Sequence, residues 1–590
     1  MKKLFSLAWL LAGLLSFISR QAAHAQAPAW QSLTGVTVVS SGGSHVYATT
    51  TDSNGNIILV GGFAGAVNFG STTLTSNSVD AFVAKFNPTS GRFVWAYQMG
   101  GGDTDEAVAV AVSGTSIYVT GAFQSAAAAF GSLNLANSSG GGNSFTNAYI
   151  TKLTDAGGSA SFVWVQQPTG VYDEYGTGLA VSGNDVYMTG KVLGASQPPP
   201  FPGGPSPCAG VCYNGVRFGT VASFQTRSAG FVAKLTDAGS SASFGWVLPI
   251  QEVDGDLRAI DVRAVTVNGS SVYVTGSFSG LNTMSFGSVG LPILGPDAQG
   301  FIAKVTDNGN TCSMAWVNRL ASSSGEGRAV VANGTAVYVA GSFGGTGAFG
   351  TTSLVSTGAK EAFIAKLTDA GPNASFDWAQ RAGGTGDDVA TALVMRGFNL
   401  YAVGYTASAA ADFGAATLTQ SASQTLFVTK VSSGASGGFL WVQATGGVTG
   451  ASAEPSSAGV AGSQLYVAGT ATPTATFGTL SLASQGGSRN EVLATLADPT
   501  LTATTAALRP ESIGLFPSPA HGRATVQLPA IPGAATATLT VLDALGRPVR
   551  TQMAATNSKA ALDLTGLAPG LYAVRVTAGG STATHKLVVE

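Results

Sequence analysis

One strand-like phrase returns seven times along this 590-residue chain, and no other feature restricts the fold as tightly. It reads NIILVGGF at Asn56–Phe63, IYVTGAF at Ile117–Phe123, VYMTG at Val186–Gly190, VYVTGSF at Val272–Phe278, VYVAGSF at Val337–Phe343, LYAVGY at Leu400–Tyr405 and LYVAG at Leu465–Gly469. From Ile58 through the aligned Tyr118, Tyr187, Tyr273, Tyr338, Tyr401 and Tyr466 the steps are 60, 69, 86, 65, 63 and 65 residues. A repeat of this kind is one supersecondary unit that cannot bury its apolar faces alone, so neighbouring units must pack on one another.

Three further phrases travel with the first. A Phe-Gly pair follows at Phe69, Phe130, Phe218, Phe286, Phe349, Phe413 and Phe477. An AFVAKF-like strand then carries Lys85, Lys152, Lys234, Lys304, Lys366 and Lys430, its seventh version being EVLATL at Glu491–Leu496 without the lysine. A Trp-centred strand comes last, at Trp95, Trp164, Trp246, Trp316, Trp378 and Trp441. Each unit thus reads as four strands, with small-residue runs such as Ala107–Val112 suited to an innermost strand where units converge. The strands are almost continuously apolar, as strands covered on both faces must be. TDAGG-type turns from Thr154, Thr236, Thr306 and Thr368 suit the hairpin between third and fourth strands.

The seventh unit lacks a Trp strand of its own, while Trp30 stands unassigned at the start of the chain. A first strand that completes the last sheet would remove the exposed edges of a ring. The expectation is an all-β fold: a seven-bladed β-propeller over 26–498, closed by its N-terminal strand. In that arrangement the tryptophans pack between blades and the repeated lysines are solvated strand-end charges. The four phrases together resemble the SBBP-type β-propeller repeat of secreted bacterial proteins, over about residues 30–497. The resemblance implies a fold and no particular reaction.

Residues 1–25 read as a secretory signal peptide: Lys2 and Lys3, an apolar run from Leu4 to Ile18, and Ala23-His24-Ala25 as a cleavage site. No later apolar run reaches the roughly 20 residues of a membrane span, so no transmembrane segment is expected in the mature chain. Between the signal and residue 500 there are 18 basic and 26 acidic residues. An acidic body repels phosphate backbones, and nucleic acid is not expected as a partner. Cys208 and Cys212, in a Pro/Gly-rich insert, could pair as a disulfide in an oxidising compartment, and Cys312 is left over as a small apolar residue.

Histidine is nearly missing from the repeats, only His45 remaining, which argues against a Ser-His-Asp triad or a multi-histidine zinc site. Acids recur instead in the loops leading into the innermost strands: Asp103, Asp105 and Glu106; Asp173 and Glu174; Asp254 and Asp256; Glu326; Asp387 and Asp388; Glu454. Of these, Asp105, Glu106, Asp173, Glu174, Asp256, Glu326, Asp387 and Asp388 are the candidate ligand- or cation-binding residues. Carboxylates beside glycine-turn carbonyls are hard oxygen donors, and Ca²⁺ is the cation they would take. Tight turns use the same Asp and Gly for purely local hydrogen bonds. The expected function is a binding or scaffold module whose glycan or protein ligand docks on the acidic face, with no catalytic activity. The alternative is a carbohydrate-active hydrolase or lyase working through a pair of these carboxylates.

Past a linker at 499–512 the composition changes, and short alternating strands split by Gly and Pro turns predict a small antiparallel β-sandwich over 513–590. LFPSPA with Pro517 and Pro519, LGR with Gly546 and Arg547, LTGLAPGLY with Gly570 and Tyr572, and KLVV with Lys586 resemble the type A C-terminal sorting domain of type IX secretion substrates. Phe516 and Ser518 depart from that family's Tyr-Pro-Asn-Pro phrase. The resemblance implies that residues 513–590 engage the type IX secretion machinery, and that the protein is secreted or displayed on the outer cell surface.

Overall fold

The computed structural model describes residues 26–590 apart from 36, 39–42, 138–144, 169–172, 194–211, 214–215, 218–227, 254–258, 322–323, 483–489, 502–512, 530–535, 545 and 579–580. The signal segment, the Cys208–Cys212 pairing, Asp254, Asp256 and nearly all of the linker therefore lie outside the described residues. Those residues are all-β, with a single 3-10 turn at Pro499–Leu501. No helix among them is long and apolar enough to cross a membrane.

Unit four shows how the phrases become strands. Ala259–Asn268, Ser271–Ser279, Gln299–Asp307 and Cys312–Leu320 pair antiparallel in chain order, the second carrying Tyr273, the third Lys304 and the fourth Trp316. The same first-to-fourth order holds in the other units through the sixth. The seventh has Ala453–Ala461, Gln464–Ala471 and Asn490–Ala497, and its fourth strand is Trp30–Gly35, with Trp30 opposite Leu496 and Gly35 opposite Val492.

Outside unit three, whose Phe218 lies beyond the described residues, the Phe-Gly pairs form a small hairpin between the second and third strands. Glycine at φ near +60°, as at Gly131, Gly287 and Gly350, makes the two-residue turn that L side chains resist. The phenylalanine before it packs on the aromatic ring of the third strand, at 4.9 Å for Phe130 on Tyr149, Phe286 on Phe301 and Phe349 on Phe363. The hairpins of units two and four also extend the fourth strand of the preceding unit, Phe130 pairing with Met99 and Phe286 with Ile250.

Neighbouring units are joined by a polar clasp as well as by apolar faces. In unit four the hydroxyl of Tyr273 (2.6 Å), the ammonium of Lys304 (2.6 Å) and the indole N–H of Trp316 (3.1 Å) all reach the carboxylate of Asp369, at the third-strand end of unit five. Tyr118, Lys152 and Trp164 converge on Asp237 in the same way, and Tyr187, Lys234 and Trp246 on Asp307. The lysines expected as solvated strand-end charges are buried in these clasps, with the exception of Lys366, and Lys152 and Lys304 are only 6% and 7% exposed. Burial is tolerable because a carboxylate and further hydrogen bonds meet each ammonium. The aspartate is the Asp of the TDAG turn, so one residue shapes a hairpin and also ties down its neighbour.

First strands pack on first strands in sequence, and that of unit seven packs on that of unit one. There Thr49 N–H donates to Ser457 Oγ at 2.8 Å, Val46 N–H to Glu491 Oε2 at 3.0 Å, and Ser456 Oγ to Val46 O.

In the tail, Gly514–Phe516, Arg523–Gln527 and Lys559–Asp563 form one antiparallel sheet. Pro548–Ala555, Thr536–Leu542, Gly570–Ala578 and Ser581–Val589 form a second. Val526, Leu539, Val541, Leu562, Val576 and Leu587 belong to one core shared by both sheets.

Candidate functional site

The phrase Tyr-Val-x-Gly fixes the site through its glycine. A Cβ on Gly61, Gly121, Gly190, Gly276, Gly341, Gly404 or Gly469 would lie 1.8–2.3 Å from a carbonyl oxygen of the adjacent first strand. Opposite each glycine the first strand bulges, with register breaks at Val46/Ala48, Ala107/Ala109, Gly176/Gly178, Val262/Ala264, Gly327/Ala329, Ala390/Ala392 and Pro455/Ser457. A bulge leaves one residue out of the ladder and re-aims its side chain. Those seven residues are Tyr47, Val108, Thr177, Arg263, Arg328, Thr391 and Ser456, and all of them line a single cavity of about 400 Å³ together with His45, Asp261 and Glu454.

The position just before the bulge pair carries His45, Glu106, Tyr175, Asp261, Glu326, Val389 and Glu454 in units one to seven. Glu326 accepts from Arg328 Nη2 at 2.8 Å and lies 3.4 Å from Arg263 Nη2, which also meets Asp261 at 2.9 Å. Arg263 Nε is buried and has no partner among the described residues. Tyr47 donates to Glu106 at 2.6 Å and stacks edge-on against His45, their ring centroids 4.4 Å apart. His45 Nδ1 stands 3.5 Å from the buried carboxyl of Glu491. Burial works against a charged imidazole here, yet Glu491, Glu454 and Glu106 together hold the His45 pKa above its ordinary value. Burial pushes the Glu491 carboxyl up in turn.

The predicted acids divide by register. Glu106 and Glu326 belong to the cavity network. Asp105, Glu174 and Asp388 sit one residue earlier and point the other way, into the protein. Asp105 accepts from Gly101 N–H (2.7 Å) and Ser125 Oγ (2.6 Å), and Asp388 from Gly384 N–H and Ser408 Oγ (both 2.8 Å), so each organises its own loop. Asp173 accepts from Thr146 N–H at 2.8 Å, and Asp387 is exposed. Glu174 is fully buried with both oxygens unpartnered, and desolvation, helped by Asp173, raises its pKa to about 8. Asp256 lies outside the described residues. Among the described residues no group of three or more His, Cys, Asp or Glu is placed to hold a metal ion. Sequence reasoning missed Tyr47, Asp261, Arg263 and Arg328. The signal was available, since VRAV at Val262–Val265 and GRAV at Gly327–Val330 align across two units.

The tail's motif residues serve turns and strand ends. Gly546 has φ +78°, Arg547 bridges to Asp543 at 2.7 Å, and the Tyr572 hydroxyl donates to Ala568 O at 2.9 Å. Pro517 and Pro519 follow cis peptide bonds, and Gly570 and Lys586 lie in the strands Gly570–Ala578 and Ser581–Val589.

Residues 514–590 match the family described as "Secretion system C-terminal sorting domain". The tail is a sorting domain, and a domain of that kind marks the protein for export. Comparison with curated protein sequences finds no match. Among solved structures the chain is similar to the acylaminoacyl peptidase of Pyrococcus horikoshii, at 10% identity and a TM-score of 0.36, covering 83% of this chain and 59% of that one. This chain thus spans about three fifths of that peptidase. It is also similar to the polysaccharide lyase Uly1 (10% identity, TM-score 0.39, 82% and 94% covered). A third similar structure is the Trypanosoma rangeli sialidase in complex with the inhibitor DANA (10% identity, TM-score 0.31, 85% and 86% covered).

Proposed function

We propose that this protein is an exported seven-bladed β-propeller of the SBBP-repeat type that acts as a binding module. Residues 26–498 form the propeller, residues 513–590 carry it through a type IX route to the cell surface or medium, and a small polar ligand occupies the axial cavity. The ring reading is supported by the packing of unit seven on unit one and by the pairing of Trp30–Gly35 with Asn490–Ala497. The observation that carries the binding reading is the cavity itself: one bulge residue from every unit lines it, and four of the seven are Arg, Tyr or Ser. A scaffold whose only task was to stand rigid would have no use for two arginines at its centre, where charge is costly to desolvate. No observation favours the hydrolase or lyase reading over binding.

The test is a thermal-shift screen of the mature chain against sugars, amino acids, short peptides and small anions. A ligand that binds only the folded state raises Tm as its concentration exceeds Kd. At least one small polar compound should do so, and its shift should vanish in Arg328→Gln while surviving in Asp387→Asn. The reverse pattern would move the site from the axis to the acidic loop face.

A further inference from the structure

We infer that the cavity selects a zwitterion, a small molecule bearing a carboxylate and an ammonium group such as a free dipeptide; this rests on the reading of the cavity as a ligand site. Its charges are sorted by side. Units four and five contribute Arg263 and Arg328, and Lys191 of unit three stands 3.4 Å from Asp261. Three cations there face two carboxylates, Asp261 and Glu326, each already held between cationic partners.

In a cycle of seven, unit one lies opposite the pair formed by units four and five. It brings His45 and Tyr47, flanked by Glu454 of unit seven and backed by Glu491 and by Glu106 of unit two, which accepts from the Tyr47 hydroxyl. The carboxyl groups of Glu491, Glu454 and Glu106 all act on the His45 imidazole. The lateral residues add no charge: Val108 is apolar, while the hydroxyls of Thr177, Thr391 and Ser456 donate to the carbonyls of Val262, Pro455 and Val46 in the next unit.

Such a cavity has a cationic wall and an anionic wall across one opening. A simple anion would meet the carboxylates of the far wall, and a simple cation would meet the arginines. A neutral sugar would displace water from both walls and return no charge to either. A zwitterion matches both: its carboxylate lies against Arg263 and Arg328, where the buried Nε of Arg263 lacks a partner among the described residues, and its ammonium against Glu454. The volume of about 400 Å³ holds a ligand of dipeptide size.

Calorimetric titration of the mature chain at pH 7 tests this with Ala-Ala, N-acetyl-Ala-Ala, Ala-Ala amide and sucrose. Ala-Ala should bind, and blocking either terminus should weaken it at least tenfold. Arg328→Gln should lower affinity for Ala-Ala about tenfold and erase the penalty of amidation; Glu454→Gln should erase the penalty of acetylation. Circular dichroism of both variants verifies the fold, and Asp387→Asn serves as the unaffected control. Sucrose binding that is lost in Arg328→Gln would overturn the zwitterion and leave the cavity as the binding site. Equal affinity for the free and blocked dipeptides would overturn it too. If none of the four binds, the zwitterion falls and the wider screen decides the fate of the cavity.

Discussion

At the scale of single residues, each clasp aspartate gathers donors from the neighbouring unit onto one carboxylate. Asp369 accepts from Lys304, Tyr273, Trp316 and the Gly371 N–H. Burial alone would raise its pKa, but these donors outweigh burial and hold it below the ordinary carboxylate value. A depressed carboxylate contributes stability that is present above its unfolded pKa near 3.8 and lost as pH falls through the folded value. Asp369→Asn strands Lys304 in a buried site and should cost about 3 kcal/mol at pH 7. Urea melts across pH should show that gap closing below about pH 4; a constant gap would mean the carboxylate charge is not what the clasp uses. Glu174 behaves in the opposite sense. Its pKa is raised by desolvation to about 8, so its favourable contribution is complete below 4.5 and lost as pH rises toward 8. Glu174→Gln should therefore be more stable than the parent at pH 8, by on the order of 3 kcal/mol, and no more stable at pH 4. Equal melts at both values would show that the carboxyl finds solvent or a partner.

At the scale of the strand, one glycine per unit couples sequence to site. Gly276 lets the carbonyl of Asp261 approach to a point where a Cβ would sit 1.9 Å away, and the bulge that follows turns Arg263 into the cavity. Gly276→Ala must flatten or displace that bulge. The expected result is a loss of about 2 kcal/mol, as for other backbone clashes, together with loss of ligand binding. Gly269→Ala, in the exposed turn of the same hairpin, should cost no more than about 1–2 kcal/mol and spare binding. If both variants bind alike, the glycine is not what shapes the site. The same pair of strands shows what could be read from the sequence and what could not. Period, strand order and the partner of Trp30 were all visible, because each repeats or is conspicuously missing. The bulge was not: it adds a residue without altering the apolar pattern, and it changes which side chains face inward. Acids one position apart, such as Asp105 and Glu106, look like one cluster in the sequence and point to opposite sides in the strand. Lysines inside apolar strands likewise read as exposed until Asp237 or Asp369, many tens of residues further on, is brought beside them.

At the scale of the whole molecule, the clasp is uneven, and its widest gap falls between units seven and one, where the last repeat meets the first. Between units five and six Ser433 takes the place of the aspartate, and Lys366 turns to Asp377 at 3.0 Å instead. Between units seven and one every charged member is gone: Thr495 stands for the lysine, Pro88 for the aspartate, and the Tyr466 hydroxyl donates to Gln464. What joins that junction is main-chain pairing, the Ser456, Ser457 and Glu491 hydrogen bonds to unit one, and the Trp30 strand, whose indole donates to Ala444 O at 3.2 Å and packs on Phe477 at 5.1 Å. In place of a lysine–aspartate clasp this junction has His45 at 3.5 Å from the buried carboxyl of Glu491, a longer contact than the 2.5–2.9 Å of the clasp pairs. It is therefore the place where the ring should open first, and the N-terminal strand is what keeps it shut. Removing residues 26–35 leaves Asn490–Ala497 as an uncovered edge of nearly continuous apolar side chains. The truncated chain should lose its cooperative melt near the parent's Tm and self-associate in size-exclusion chromatography. Hydrogen exchange should quicken first in Asn490–Ala497 and Ser44–Thr51, while Gln299–Asp307, on the far side of the cycle, keeps its protection longest. Uniform acceleration through all seven units would show that the ring melts as one body and that its first strand is not a latch.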